Sequence, residues 1–130
     1  MKTTIIVIIS VMLCSQSLHA QQQSFVCSAE ESTGYDYTNG RWLRERFRPD
    51  SRYLVKQNGT DWTVYEYEIE HEHTLCTQES SAVIRCEVSG DFILNIETEK
   101  FSVTNTESYV HSTKRNRDAV ILTLGTCVSM

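Results

Sequence analysis

The 130-residue chain carries 17 acidic and 12 basic side chains, a formal net charge of −5, and a single proline. That balance gives it no global reason to seek nucleic acid or an anionic membrane surface. Its length accommodates one domain.

Residues 1–20 read as a secretory signal: Lys2, an apolar run from Ile5 to Leu13, a polar stretch, then Ala20 followed by three glutamines. The run is too short and too near the terminus for a spanning helix. Cleavage is expected after Ala20, with Leu18 and Ala20 as the recognition residues. Cys14 leaves with the signal, and Leu13 before it is not the small residue that precedes an acylated cysteine, so no lipid anchor is expected. The remainder, 21–130, is 110 residues; it loses Lys2 and no acid, so its net charge is −6. It is expected to be periplasmic or secreted, with no stable membrane insertion.

The exported portion keeps Cys27, Cys76, Cys86 and Cys127. In a secreted chain this small an even cysteine set reads as a disulfide framework. Of the three possible pairings, Cys76–Cys86 is close enough in sequence to staple a hairpin, and Cys27–Cys127 would tie the first strand to the last. Each is worth about 2–4 kcal/mol.

The turns set the organisation. Asn-Gly accepts positive φ at both central positions of a type I′ hairpin. Asn39-Gly40 separates Tyr35–Thr38 from Arg41–Phe47, and Asn58-Gly59 separates Arg52–Lys56 from the strand starting at Trp62. Ser89-Gly90 joins Ala82–Val88 to Phe92–Ile96, in which Phe92, Leu94 and Ile96 share a face. A polar turn near Glu97–Glu99 leads to Lys100–His111, with Phe101, Val103, Tyr109 and His111 on one parity. Ser112–Asp118 is a charged loop. Ala119–Val128 is apolar on both parities, as in a strand covered on both sides or one paired centrally beside a closed core. Pro49 occupies a turn between strands. The expectation is a single all-β domain, an antiparallel meander of about eight or nine strands. A Cys27–Cys127 bond would set the terminal strands side by side and close, or nearly close, a barrel; a two-layer β-sandwich is the alternative.

The stretch from Tyr65 to His73, YEYEIEHEH, alternates strictly. Residues two apart share a face of a strand, so His71 and His73 can present both imidazoles to one zinc or copper ion. That is half a site, and His111 or an acid elsewhere would have to complete it. Alternatively, Tyr65, Tyr67 and Ile69 form a core stripe that the histidines continue to the rim, with Glu66, Glu68, Glu70 and Glu72 in water. On this parity Cys76 falls with the glutamates while Cys86 falls with Ile84 and Val88. A bulge near Thr74-Leu75, or a disulfide outside the core, would reconcile the two.

Arg41, Arg44, Arg46, Arg48, Arg52 and Lys56 fall in one segment, and Asp61, Glu66, Glu68, Glu70, Glu72 and Glu79 in the next. Cross-strand ion pairing is one reading. The other makes Arg41, Arg44, Arg46, Arg48 and Arg52 a docking patch for a protein. No glycine-rich phosphate loop, Gly-x-Ser-x-Gly elbow or His-Glu-x-x-His motif occurs. Carboxylates are plentiful, yet nothing marks two of them as sharing a cleft. No catalytic residue is assigned, no cofactor is expected, and no enzyme is indicated. Asn58-Gly-Thr60 matches a glycosylation acceptor, although a hairpin turn accounts for the same letters.

Phe25-Val-Cys27, Thr33–Trp42 (TGYDYTNGRW), Phe47–Asp50 (FRPD), Tyr53–Lys56 (YLVK), Phe92–Asn95 (FILN) and the terminal Gly125-Thr-Cys127 span most of the exported chain. In these the chain resembles a group of small exported proteobacterial proteins of uncharacterised function. The resemblance implies a bacterial envelope location and one structural unit, and no activity; His71 and His73 lie outside it.

These readings point to an exported binding module, such as an inhibitor or immunity-like factor that recognises an envelope or extracellular protein. A carrier barrel holding a small apolar ligand between aromatics such as Trp42, Tyr65 and Tyr67 is the alternative. A metal-binding protein built on His71 and His73 is a further one.

Overall fold

The computed structural model describes residues 22–67, 73–88, 90–106 and 119–130, with only the backbone of His73. The proposed signal lies outside them. Among the described residues nine antiparallel strands form one sheet: β1 Ser24–Thr38, β2 Arg41–Phe47, β3 Arg52–Asn58, β4 Asp61–Glu66, β5 His73–Gln78, β6 Val83–Glu87, β7 Asp91–Asn95, β8 Lys100–Asn105 and β9 Ala119–Ser129. The order is β2-β1-β3-β4-β5-β6-β7-β8-β9, and β9 pairs back onto β1. Eight strands thus close a barrel, as the meander and terminal disulfide lead one to expect, and β2 is additional.

The turns follow their chemistry. Asn39 and Gly40 both have positive φ, 54° and 81°, between the paired Thr38 and Arg41, as a type I′ hairpin requires. At the next turn Asn58 itself pairs with Asp61, so Gly59 and Thr60 are central and only Gly59, at 63°, is left-handed. That is the pattern of a type II′ turn rather than an Asn-Gly I′ turn. Asn95 Oδ1 accepts hydrogen bonds from the N–H groups of Glu97 and Thr98, both at 3.0 Å, shaping the β7–β8 turn.

Both expected disulfides are present. Cys27 faces Cys127 across the β1–β9 ladder, and Cys76 faces Cys86 across β5–β6. Both bonds lie inside the barrel among Phe25, Tyr53, Val55, Trp62, Val64, Ile84, Phe92, Leu94, Phe101 and Val103. Tyr53, Phe92 and Phe101 pack mutually at 5.1–5.5 Å between ring centroids, and Phe25 meets Trp62 at 6.2 Å. Arranged tilted or offset, such rings gain about 0.5–1.5 kcal/mol per pair beyond their burial.

The parity expected around Tyr65 is reversed. On β4 the inward residues are Trp62 and Val64, followed on that face by Glu66 at the barrel mouth; Tyr65 faces outward and Tyr67 is 61% exposed. In register, Trp62 opposes Cys76 and Tyr65 opposes His73, so even numbers point inward on both strands. The two cysteines therefore meet in the core, and no bulge at Thr74-Leu75 is needed. The physical cause is size: the barrel takes the larger indole of Trp62, and the tyrosines keep their hydroxyls near water.

β1 carries two registers. From Ser24 to Ser28 it pairs with β3, and from Ser32 to Thr38 with β2. Between Ala29 and Glu31 its pairing with β9 slips by one residue. This bulge exchanges the faces, so Phe25 and Cys27 point inward below it and Ser32 above it, where Ser32 and Thr123 are buried and hydrogen-bonded at 3.0 Å. The outer set above the bulge becomes Thr33, Tyr35 and Tyr37.

Candidate functional site

Because β3 and β2 share one edge of β1 in succession, the hairpin of β1 and β2 runs on past the barrel wall. On the outer face of this extension Tyr37 opposes Trp42, Tyr35 opposes Arg44 and Thr33 opposes Arg46. The Tyr37 and Trp42 rings touch, with centroids 5.3 Å apart. On the other side of β1, Val120 opposes Tyr35 and Leu122 opposes Thr33.

Tyr37 is buried and Trp42 half-buried, whereas the rest of this face is largely apolar and exposed. Tyr35 is 50% exposed, Leu122 38% and Leu124 44%, and Val128 farther along β9 is more exposed still. The two-parity hydrophobicity of β9 is thereby resolved. The strand is paired on both edges and contributes Thr123, Gly125 and Cys127 to the interior, while its leucines line the outer surface. Thr33, Tyr35, Arg44, Thr104, Val120 and Leu122 border an open depression of about 320 Å³ there. Contiguous exposed apolar surface beside polar groups is the usual mark of an interaction site.

The five arginines are not one patch. Arg44 and Arg46 lie side by side on this outer face, and Arg41 is on the reverse face of β2 with Leu43 and Glu45. Arg48 lies in the loop after β2, and Arg52 opens β3; with Pro49, Asp50 and Tyr67 they border a separate shallow groove of about 650 Å³. Of the basic and acidic segments, β3 lies against β4, yet no ion pair joins them among the described residues, and Glu68, Glu70 and Glu72 lie outside those residues. β2 neighbours β1, and among the described residues the ion pairs join Arg85 to Glu79, at 2.6 Å, and to Asp91. None involves Arg41, Arg44, Arg46, Arg48 or Arg52.

The aromatics expected to line a carrier do not do so: Trp42 stands on the extension, Tyr65 is on the outside of β4, and Tyr67 just beyond β4 is exposed. The interior of the described barrel is filled by Trp62, Phe92, Ile84, Leu94, Val55 and Val64. A half-open cavity of about 270 Å³ remains at the mouth, bordered by Ser32, Arg48, Asp50, Tyr53, Glu66 and Thr123 among others. Burial, with a smaller contribution from the Glu66 carboxylate, pushes the Tyr53 phenol up to about 12, against a lowering hydrogen bond with the Ser51 side chain. The cavity lining mixes these polar groups with Phe47, Val103 and Ile121.

His71 and His111 lie outside the described residues, and of His73 only the backbone is placed, opposite Tyr65. Among the described residues no three metal-ligating side chains gather, and no helix is long and apolar enough to cross a membrane. The two disulfides point to an oxidising, extracytoplasmic location. Searches among family models, curated proteins and solved structures found no match to this chain.

Proposed function

We propose that the chain is an exported, non-enzymatic binding module that recognises an envelope or extracellular protein, as an inhibitor or immunity-like factor does. Its docking surface is the outer face of β1, β2 and β9. The observation that carries this reading is the adjacency of Arg44 and Arg46 to exposed Tyr35 and Leu122 on one side of a hairpin held by a closed, cross-linked barrel. Aromatic and arginine side chains are the residue types that supply most binding energy at protein interfaces. The barrel keeps them in place, which lowers the ordering cost of association.

Two properties of the partner follow. It offers acidic groups to Arg44 and Arg46, and an apolar surface to Tyr35 and Leu122. The test is charge reversal, with Arg44→Glu and Arg46→Glu combined, followed by capture of proteins from the envelope fraction of the exporting cell. The variant is expected to melt like the parent and to lose the captured protein. Capture undiminished in a folded double variant sinks the reading.

A further inference from the structure

The extension exposes an edge as well as a face. β2 ends the sheet order, and among the described residues no strand pairs with its outer edge. A two-residue hairpin makes the flanking Thr38 and Arg41 a hydrogen-bonded pair, and bonded and non-bonded pairs alternate from there. Leu43, Glu45 and Phe47 therefore direct their backbone groups toward β1. The Thr33 hydroxyl donates to the Glu45 carbonyl at 3.3 Å, which places that carbonyl on the β1 side. The intervening Arg44 and Arg46 direct their N–H and C=O groups outward, and their side chains rise on the same outer face as Tyr35.

We infer that β2 takes up an extended acidic segment of the protein partner as an added strand. This rests on the reading of the outer face as the docking surface and specifies how the partner engages it. An incoming strand bonded to the backbone at Arg44 and Arg46 sets alternate side chains directly across from both guanidinium groups. Opposite charges at such cross-strand positions are favourable and like charges are not. The strand that fits carries Asp or Glu at two positions two residues apart, with small or β-branched residues between them. A second copy of this chain fits poorly, because β2 against β2 would bring arginines to arginines. The arginines thus protect the edge from self-pairing and select an acidic strand, whose backbone supplies affinity and whose side chains supply specificity.

The probe is a synthetic peptide of seven residues, the length of β2, alternating glutamate with valine or threonine, and its lysine counterpart. Saturable binding of the acidic peptide alone, weakened by salt, with slowed amide exchange at Arg44 and Arg46, is expected. Arg44→Gln keeps the outward N–H and should weaken binding several-fold. Arg44→Pro removes that N–H without touching a β1–β2 bond, and should weaken it at least about tenfold more than Arg44→Gln. Should the proline variant misfold, N-methylating alternate residues of the peptide removes the same bonds from the other side and should abolish binding to the parent protein. Equal losses in Arg44→Pro and Arg44→Gln overturn strand addition while leaving docking on the face intact. No binding of the acidic peptide by the parent protein overturns it too. Protection of the β2 amides by dimerisation without peptide would make a second copy the occupant, and overturns it as well. Failure of the docking reading is read separately, from undiminished partner capture by the Arg44→Glu, Arg46→Glu variant.

Discussion

Arg44 lies directly opposite Tyr35 in the β1–β2 ladder, with Val120 of β9 on the other side of the tyrosine. A cation, an aromatic ring and a β-branched residue thus stand in one row across three strands, on a hairpin that continues beyond the barrel. The row depends on Gly34: a Cβ there would come within 1.8 Å of the Val120 carbonyl oxygen. β1 and β9 approach closely enough to align the row only because position 34 lacks a side chain.

That close approach has a counterpart in the barrel wall. A Cβ on Gly125 would stand 2.3 Å from the Ser28 carbonyl oxygen and 2.4 Å from the Phe101 ring. Gly125→Ala is expected to destabilise by about 1–3 kcal/mol, as overpacked sites do. Phe101→Leu should not restore the loss, because the Ser28 backbone remains in the way. Urea unfolding of the single and double variants measures both.

The disulfides differ in what they constrain. Cys27–Cys127 closes a sequence separation of 100 residues and Cys76–Cys86 one of 10. Chain-entropy arguments give about 4.7 and about 2.7 kcal/mol respectively. Replacing Cys27 and Cys127 by alanine should therefore cost about 2 kcal/mol more than replacing Cys76 and Cys86. Denaturant midpoints of the two variants test the order, and equal costs would contradict it.

Two substitutions separate the faces of β4 and its continuation. Trp62 is buried beside Phe25, so Trp62→Ala should lose about 3–5 kcal/mol. Exposed Tyr67 just beyond the strand should tolerate alanine within about 0.5 kcal/mol. Thermal melts of the two decide it, and comparable losses would mean that the tyrosine parity is the core after all.

These faces show where the sequence was readable. Hairpins at Asn39-Gly40, Gly59 and Gly90, the two disulfides, and the inward stripes Ile84, Cys86, Val88 and Phe92, Leu94 follow from local chemistry and alternation. The stripe at Tyr65 was misread because every other residue between Tyr65 and His73 is charged, and charge alone suggested that the even set faces water. Trp62, Val64 and Cys76 on that even set carried the contrary signal. The face proposed for docking was hidden for a different reason. A one-residue slip near Glu30 turns Tyr35 to the exposed outer face, and alternation within a single strand cannot place such a bulge. The apolar outer positions of β9 were visible, but whether anything covers them depends on the strands beside it.

Tyr53 gives the fold a pH signature. With its phenol pushed up to about 12 from an ordinary 10.0, the folded state holds the proton more tightly than the unfolded chain. Its contribution is fully present below pH 10 and is lost as pH rises from there through about 12, a change on the order of 2–3 kcal/mol. Tyr53 should ionise late in an ultraviolet titration. Tyr53→Phe should remove that late phase and flatten the alkaline fall in stability, and an unchanged titration would contradict the assignment.

The most direct test of the proposed docking surface is a photocrosslinking amino acid placed at Tyr35 or at Leu75 in the native cell. Both positions are well exposed, at 50% and 69%, but Leu75 lies on β5, three strands away around the barrel from β1. The account predicts a discrete crosslinked protein from position 35, none from position 75, and loss of the product when Arg44 and Arg46 are both reversed to glutamate. A product of equal yield from both positions, or from position 75 alone, would contradict it.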